Sequence, residues 1–188
     1  MSAGHNDDKN NSIFKIALNL TMACFVSGII IAGVYFTTAD AALEKAAELK
    51  TVAMKALVQE ANKFEPIEGK EGWFKAEKDG KILAYVVPSE SKGYGGVIRL
   101  LVAVSSDGKV LNYDITGHNE TPGLGDKANQ EPFKSQLIGK TAKNLTVVKD
   151  PSDKENVQAM TGATISSKAV TNGVKKAVEE VVEFTGGK

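Results

Sequence analysis

Cysteine, histidine and any surplus of one charge are what this sequence has least of. The single cysteine, Cys24, has no partner within the chain and lies in an apolar run, which excludes a disulfide framework. One cysteine and two histidines cannot assemble the usual zinc or iron–sulfur ligand sets. Its 23 basic and 23 acidic residues cancel, so no nucleic-acid surface is foreseen. There is no Gly-rich dinucleotide fingerprint and no Ser/His/Asp or Cys/His set that could be argued for nucleophilic catalysis. Repeats and low-complexity runs are absent as well.

What is present begins with an uncharged stretch of 24 residues, Ile16–Ala39. As a helix it extends roughly 36 Å at about 1.5 Å per residue, against a hydrocarbon core of about 30 Å. Residues 13–39 are therefore expected to span a lipid membrane once. The small residues Ala23, Ser27, Gly28, Ala32 and Gly33 either form a seam against other membrane helices or belong to a lone anchor. Lys9 and Lys15 precede the span and Asp40 and Glu44 follow it, which favours a cytoplasmic N-terminus. A cleaved signal peptide fits less well, because the core is long and no small-x-small site ends it. This gives a cytoplasmic tail over 1–12, a transmembrane helix over 13–39, a membrane-proximal helix over 40–63 and an extracytoplasmic domain over 64–188.

Within that domain the apolar period changes from helical to alternating. Trp73–Glu77 and Ile82–Val87 read as strands joined by the turn former Asp79-Gly80, after Phe64–Gly69 ends the preceding helix. Ser89–Gly96 reads as a flexible loop, and Val97–Val104 as a buried strand that Asp107-Gly108 turns back into Val110–Thr116. Gly117–Lys127 reads as a loop, Phe133–Ile138 as a short helix or turn and Leu145–Val148 as a strand. Strands bracketed by helices predict an α+β fold, an antiparallel sheet with flanking helices.

From about Thr164 to Phe184 the spacing predicts a helix, with Ile165, Ala169, Val170, Val174, Ala177, Val178, Val181 and Val182 on its buried face. Directly before it stands Met160-Thr161-Gly162-Ala163-Thr164-Ile165-Ser166-Ser167-Lys168. Such a cluster reads in two ways. Thr161 or Thr164 is a plain cap, or the helix start, with Gly162 allowing close approach, receives an anion such as phosphate. Two loops accompany it, one from His118 to Asp126 and one from Ser89 to Gly96 with Tyr94 at its centre. Each is either a turn or a ligand-gripping loop.

MTGATISSKAV, together with GHNETPGLGDK and GYGG, resembles the FMN-binding domain of G subunits of the Rnf ion-translocating electron-transport complex. The C subunit of sodium-pumping NADH:quinone reductases is similar too. The likeness covers the N-terminal span and roughly Tyr85 to Glu183. It implies one FMN per chain, joined to Thr164 by a phosphoester that a separate flavin transferase makes, with Thr161, Gly162 and Ala163 completing the motif. That family often has an acidic residue where this chain has Gln158. On this reading the N–H groups of Ser166 and Ser167 receive the remaining phosphate charge. Glu120, Thr121 and the backbone around Gly123, Leu124 and Gly125 contact the ring or ribityl chain, with Tyr94 and Gly95 on the other side. The implied function is electron transfer within a membrane-bound ferredoxin:NAD oxidoreductase that moves sodium ions or protons, beside multispan flavin-carrying subunits of the same complex. By itself the chain would be an electron carrier without catalytic residues of its own. The alternatives are an extracytoplasmic structural or ligand-binding module without flavin, or the quinone-reductase C subunit.

Overall fold

The computed structural model describes residues 5–150 and 152–186, without the side chains of 5–12, 40, 43, 44, 46, 47 and 50. The expected tail over 1–12 therefore lies partly outside the described residues. Two compact units divide the chain after Lys50. Helix α1, His5–Leu57, takes in both stretches that the sequence separates into a membrane span and a following helix. Its segment Ile13–Ala39 is long and apolar enough to cross a membrane. Along it Thr21, Ser27 and Thr38 return their hydroxyls to carbonyls one turn back, so these polar groups are satisfied within the helix.

The second unit is built on a five-stranded antiparallel meander in the order β1 to β5. Its strands are β1 (Lys63–Pro66), β2 (Phe74–Lys78), β3 (Lys81–Lys92), β4 (Val97–Val104) and β5 (Val110–Gly117). Asp79 and Gly80 both take positive φ, 52° and 77°, the backbone that a tight hairpin between β2 and β3 requires. Two differences from the sequence reading stand out. Ser89–Lys92 is not loop but the end of β3, paired with Val97–Leu100, and the turn shrinks to Gly93–Gly96. Ser89 is buried there and donates to the Gly173 carbonyl at 2.8 Å, so its polarity is satisfied inside the core. The start of Phe64–Gly69, read as ending the helix, belongs with Lys63 to an edge strand, Lys63–Pro66, whose last residue is a proline, a place where a missing N–H is tolerated.

The remaining expectations shift in length rather than in kind. Of Leu145–Val148, only Val147–Val148 is extended (β6), and it pairs in parallel with Val157–Gln158 (β7). Phe133–Ile138 contains a single 3-10 turn. Helix α2, Thr164–Thr185, ends at Gly186 in the left-handed conformation that helix C-termini favour.

Alternation sorts β3 and β4 cleanly between the two faces of the sheet. Tyr85, Val87, Ile98, Leu100, Val102 and Val104 point to α2, where Val170, Val174, Ala177, Val178 and Val181 meet them. Ala84, Val86, Leu101 and Ala103 point the other way, under Met54, Leu57 and Val58. Gly173 marks the closest approach of α2 to the sheet, since a Cβ there would collide with the Leu100 side chain and lie 3.5 Å from Ser91 Cβ. Replacing Gly173 with Val should overpack this contact and cost about 1–3 kcal/mol. Thermal unfolding of the variant tests it, and an unchanged midpoint would contradict the tight fit.

Candidate functional site

Two anchors on β5 fix the loop that follows it. The buried Tyr113 hydroxyl donates to the Ala128 carbonyl, and Asn129 Nδ2 donates to Asp114 Oδ1 at 2.7 Å. Burial first, then the charges of Glu131 and Asp114, push the Tyr113 phenol far above its ordinary range, so it remains a donor. Between β5 and these anchors the chain carries Glu120, Thr121, Leu124 and Gly125 to the first turn of α2.

That turn has its own internal lock. Gly162 has φ 78°, reversing the chain ahead of the helix. Ser167 Oγ accepts from Met160 N at 2.9 Å and donates to the Ala163 carbonyl at 2.9 Å. Among the described residues no side chain caps the helix, so neither Thr161 nor Thr164 acts as the plain cap that the sequence allowed. The N–H of Ser167 is bonded to Ala163 O at 2.9 Å, which corrects the expectation that it faces an anion. The first-turn N–H groups, of Thr164, Ile165 and Ser166, are those left for one.

Glu120 ties the pieces together. Its carboxylate is buried, with 5% of the residue exposed. Oε1 accepts from Gly95 N at 2.9 Å and Oε2 accepts from the Ser166 hydroxyl. Glu120 N in turn donates to His118 Nδ1 at 3.2 Å. Burial works against its charge, but the Ser166 hydroxyl and the N–H groups of Gly95 and Tyr94 outweigh it and hold the carboxyl below its ordinary 4.5. Gly125 is needed for the approach, because a Cβ there would lie 2.6 Å from Ser166 Oγ and 2.7 Å from Glu120 Oε2.

The result is an open cleft of about 510 Å³ lined by Tyr94, Glu120, Thr121, Leu124, Gly125, Gly162, Ala163, Thr164, Ile165 and Ser166. Of the residues singled out in the sequence as contacts, nine meet here: Tyr94, Glu120, Thr121, Leu124, Gly125, Gly162, Ala163, Thr164 and Ser166. Gly95 stands behind it as a donor to Glu120. Thr161 and Gly123 open instead onto an adjoining hollow of about 360 Å³ with Lys127, Gln158 and Met160. Ser167 is fully buried and belongs to the lock rather than to the cleft. Ile165 is the residue that the helical period misplaced. It was expected on the buried face but is 54% exposed at the cleft, as are Tyr94 at 71% and Leu124 at 43%. Apolar side chains left in water around one hydroxyl mark a place where a ring or another apolar body is received.

The size, the three exposed apolar side chains and the uncapped helix start fit a ligand with a flat ring and an anionic group, such as a flavin phosphate. The sequence model of the FMN-binding domain matches residues 93–179, which contain every cleft residue. An FMN-binding domain is therefore the class of protein that this unit represents. The chain is 57% identical over 182 residues to the G subunit of the proton-translocating ferredoxin:NAD(+) oxidoreductase complex of Clostridium ljungdahlii, covering 97% of this chain and 98% of that one. It is 32% identical to the G subunit of the Na(+)-translocating ferredoxin:NAD(+) oxidoreductase complex of Acetobacterium woodii, covering 89% of this chain and 90% of that one. The crystal structure of the C subunit of the Na(+)-translocating NADH-quinone reductase of Parabacteroides distasonis is similar at TM-score 0.51 and 25% identity, over 62% of this chain and 63% of that one. The chain belongs to the family of G subunits of ion-translocating ferredoxin:NAD(+) oxidoreductase complexes.

The brace has a pH signature. A carboxyl whose folded value is depressed stabilises the fold above its unfolded value, and that stability drains away as pH falls through the folded one. In Glu120→Gln the loss of melting temperature between pH 5 and pH 3 should accordingly be smaller than in the unmodified chain. Parallel acid limbs in the two proteins would contradict the titrating brace.

Proposed function

We propose that this chain is the electron-transferring subunit of a membrane-bound ferredoxin:NAD(+) oxidoreductase coupled to ion translocation, with one FMN covalently joined to Thr164. The observation that carries this reading is the half-buried Thr164 at an uncapped helix start, inside a cleft edged by exposed Tyr94, Leu124 and Ile165.

Thr164 Oγ1 is the nucleophile toward a flavin phosphate presented as a phosphoanhydride by a separate transferase. Its O–H bond gives up a proton to solvent, an O–P bond forms, and the anhydride P–O bond breaks, so that the other phosphate half of the anhydride leaves with the bridging oxygen. The ester retains one negative charge, and the N–H groups of Thr164, Ile165 and Ser166 face it at the positive end of α2. Glu120 and Ser166 hold that turn against the Tyr94–Gly95 loop, so the hydroxyl is presented from a fixed backbone. When bound, FMN supplies one-electron chemistry that no side chain here can provide. Tyr94, Leu124 and Ile165 are the apolar side chains that would receive its ring.

Ile13–Ala39 anchors the protein in lipid beside the other subunits of the complex. Lys9 and Lys15 ahead of the span favour a cytoplasmic N-terminus and an FMN domain on the extracytoplasmic side. A tether suits that location, because a flavin held by contacts alone is lost to dilution once it dissociates.

Thr164→Ala should carry no flavin after denaturation. In-gel fluorescence and intact mass of the chain, made together with a flavin transferase, check this. The unmodified chain is expected to gain one FMN less one water on the peptide containing Thr164. A fluorescent denatured band in the Ala variant would refute the attachment point.

A further inference from the structure

The cleft is unusual for a phosphate site in its charge. Among the ten residues that line it there is one acid, Glu120, and neither lysine nor arginine. That carboxylate is buried, bonded by Gly95 N and the Ser166 hydroxyl, and cannot swing away without breaking both. Gly125 brings the loop backbone directly against it. The nearest lysines in sequence, Lys92, Lys127 and Lys168, are exposed, and Lys92 lines neither the cleft nor the hollow beside it. Lys127 lines the adjoining hollow and Lys168 lines neither. His118 accepts at Nδ1 from Glu120 N and lines neither space.

A free phosphate monoester carries about −1.5 to −2 at neutral pH, whereas a diester carries only one charge. The helix start offers roughly half a positive charge. Against the fixed charge of Glu120, that is too little for a dianion but tolerable for a monoanion.

We propose that Glu120 is a specificity-determining residue whose buried charge turns free FMN away, so that the cleft keeps flavin only after esterification to Thr164. This rests on the reading of the cleft as the flavin site. The brace thus has two consequences at once: it shapes the site and it sets the charge of what the site accepts.

The test uses the full chain in detergent, made without flavin transferase and titrated with FMN and with riboflavin, which has the same ring and no phosphate. In the unmodified chain riboflavin should bind at least as tightly as FMN. Added salt should raise FMN affinity and leave riboflavin unchanged, the reverse of an ordinary phosphate site. In Glu120→Gln the affinity for FMN relative to riboflavin should rise by roughly three- to tenfold. Ser166→Ala, which removes a bond but keeps the charge, should leave that ratio where it was. Tighter binding of FMN than riboflavin by the unmodified chain, or weakening of FMN by salt, overturns the proposal. So does an unchanged ratio in Glu120→Gln, or no measurable FMN binding to that variant. Intact mass of the chain made with the transferase is read separately. A bare Thr164 there would defeat the covalent-flavin reading while leaving the charge measurement to be judged by itself.

Discussion

The close approach of α2 to strands β3 and β4 is the contact on which the flavin-binding unit depends. It requires a residue without a side chain at Gly173, where the helix backbone meets Leu100, and it uses the Gly173 carbonyl to satisfy the buried Ser89 hydroxyl. Valine and alanine fill the helix side of the seam, so little side-chain entropy is lost there in closing it. Because α2 is held along its length, its first turn is a rigid platform. The hydroxyls of that turn are presented from a backbone that needs no further ordering.

Around that platform, a short stretch of chain is held by side chains far away in sequence. Ser167 closes the turn from within, Glu120 reaches it from the loop after β5, and that loop is itself moored to β5 by Tyr113 and Asp114. The site is thus assembled from three segments that are distant in sequence. This arrangement explains why ionised Glu120 tolerates burial. Each oxygen meets a donor, and a buried carboxylate in that condition keeps its charge.

Much of the fold was legible in the sequence because it follows from local rules. Asp79-Gly80 announced its hairpin by the positive φ it adopts, and the apolar run Val97–Val104 announced the central strand. Ser89–Lys92 misled because serine and glutamate look like loop, while their strand role depends on a glycine 84 residues away from Ser89. Ile165 misled for the opposite reason, since helical period assigns faces but cannot tell a buried face from one left for a ligand. At the site, the threonine motif and the Glu120 loop were visible as separate motifs. That Glu120 braces rather than reaches outward was not, because its donors come from Gly95 and Ser166, on segments distant in the chain.

The second face of the sheet has a practical implication for any soluble fragment. Small residues, Ala76, Ala84 and Ala103, make a shallow bed there with Val86 and Leu101, filled by Met54, Leu57 and Val58. Met54 and Leu57 belong to the end of the same helix that carries the apolar span, and Val58 follows it directly. Cutting the anchor away at the first strand would therefore strip a lid from the domain and leave a sticky, flat surface in water. The last turn of α1 is thus part of the flavin-binding unit rather than a linker to it.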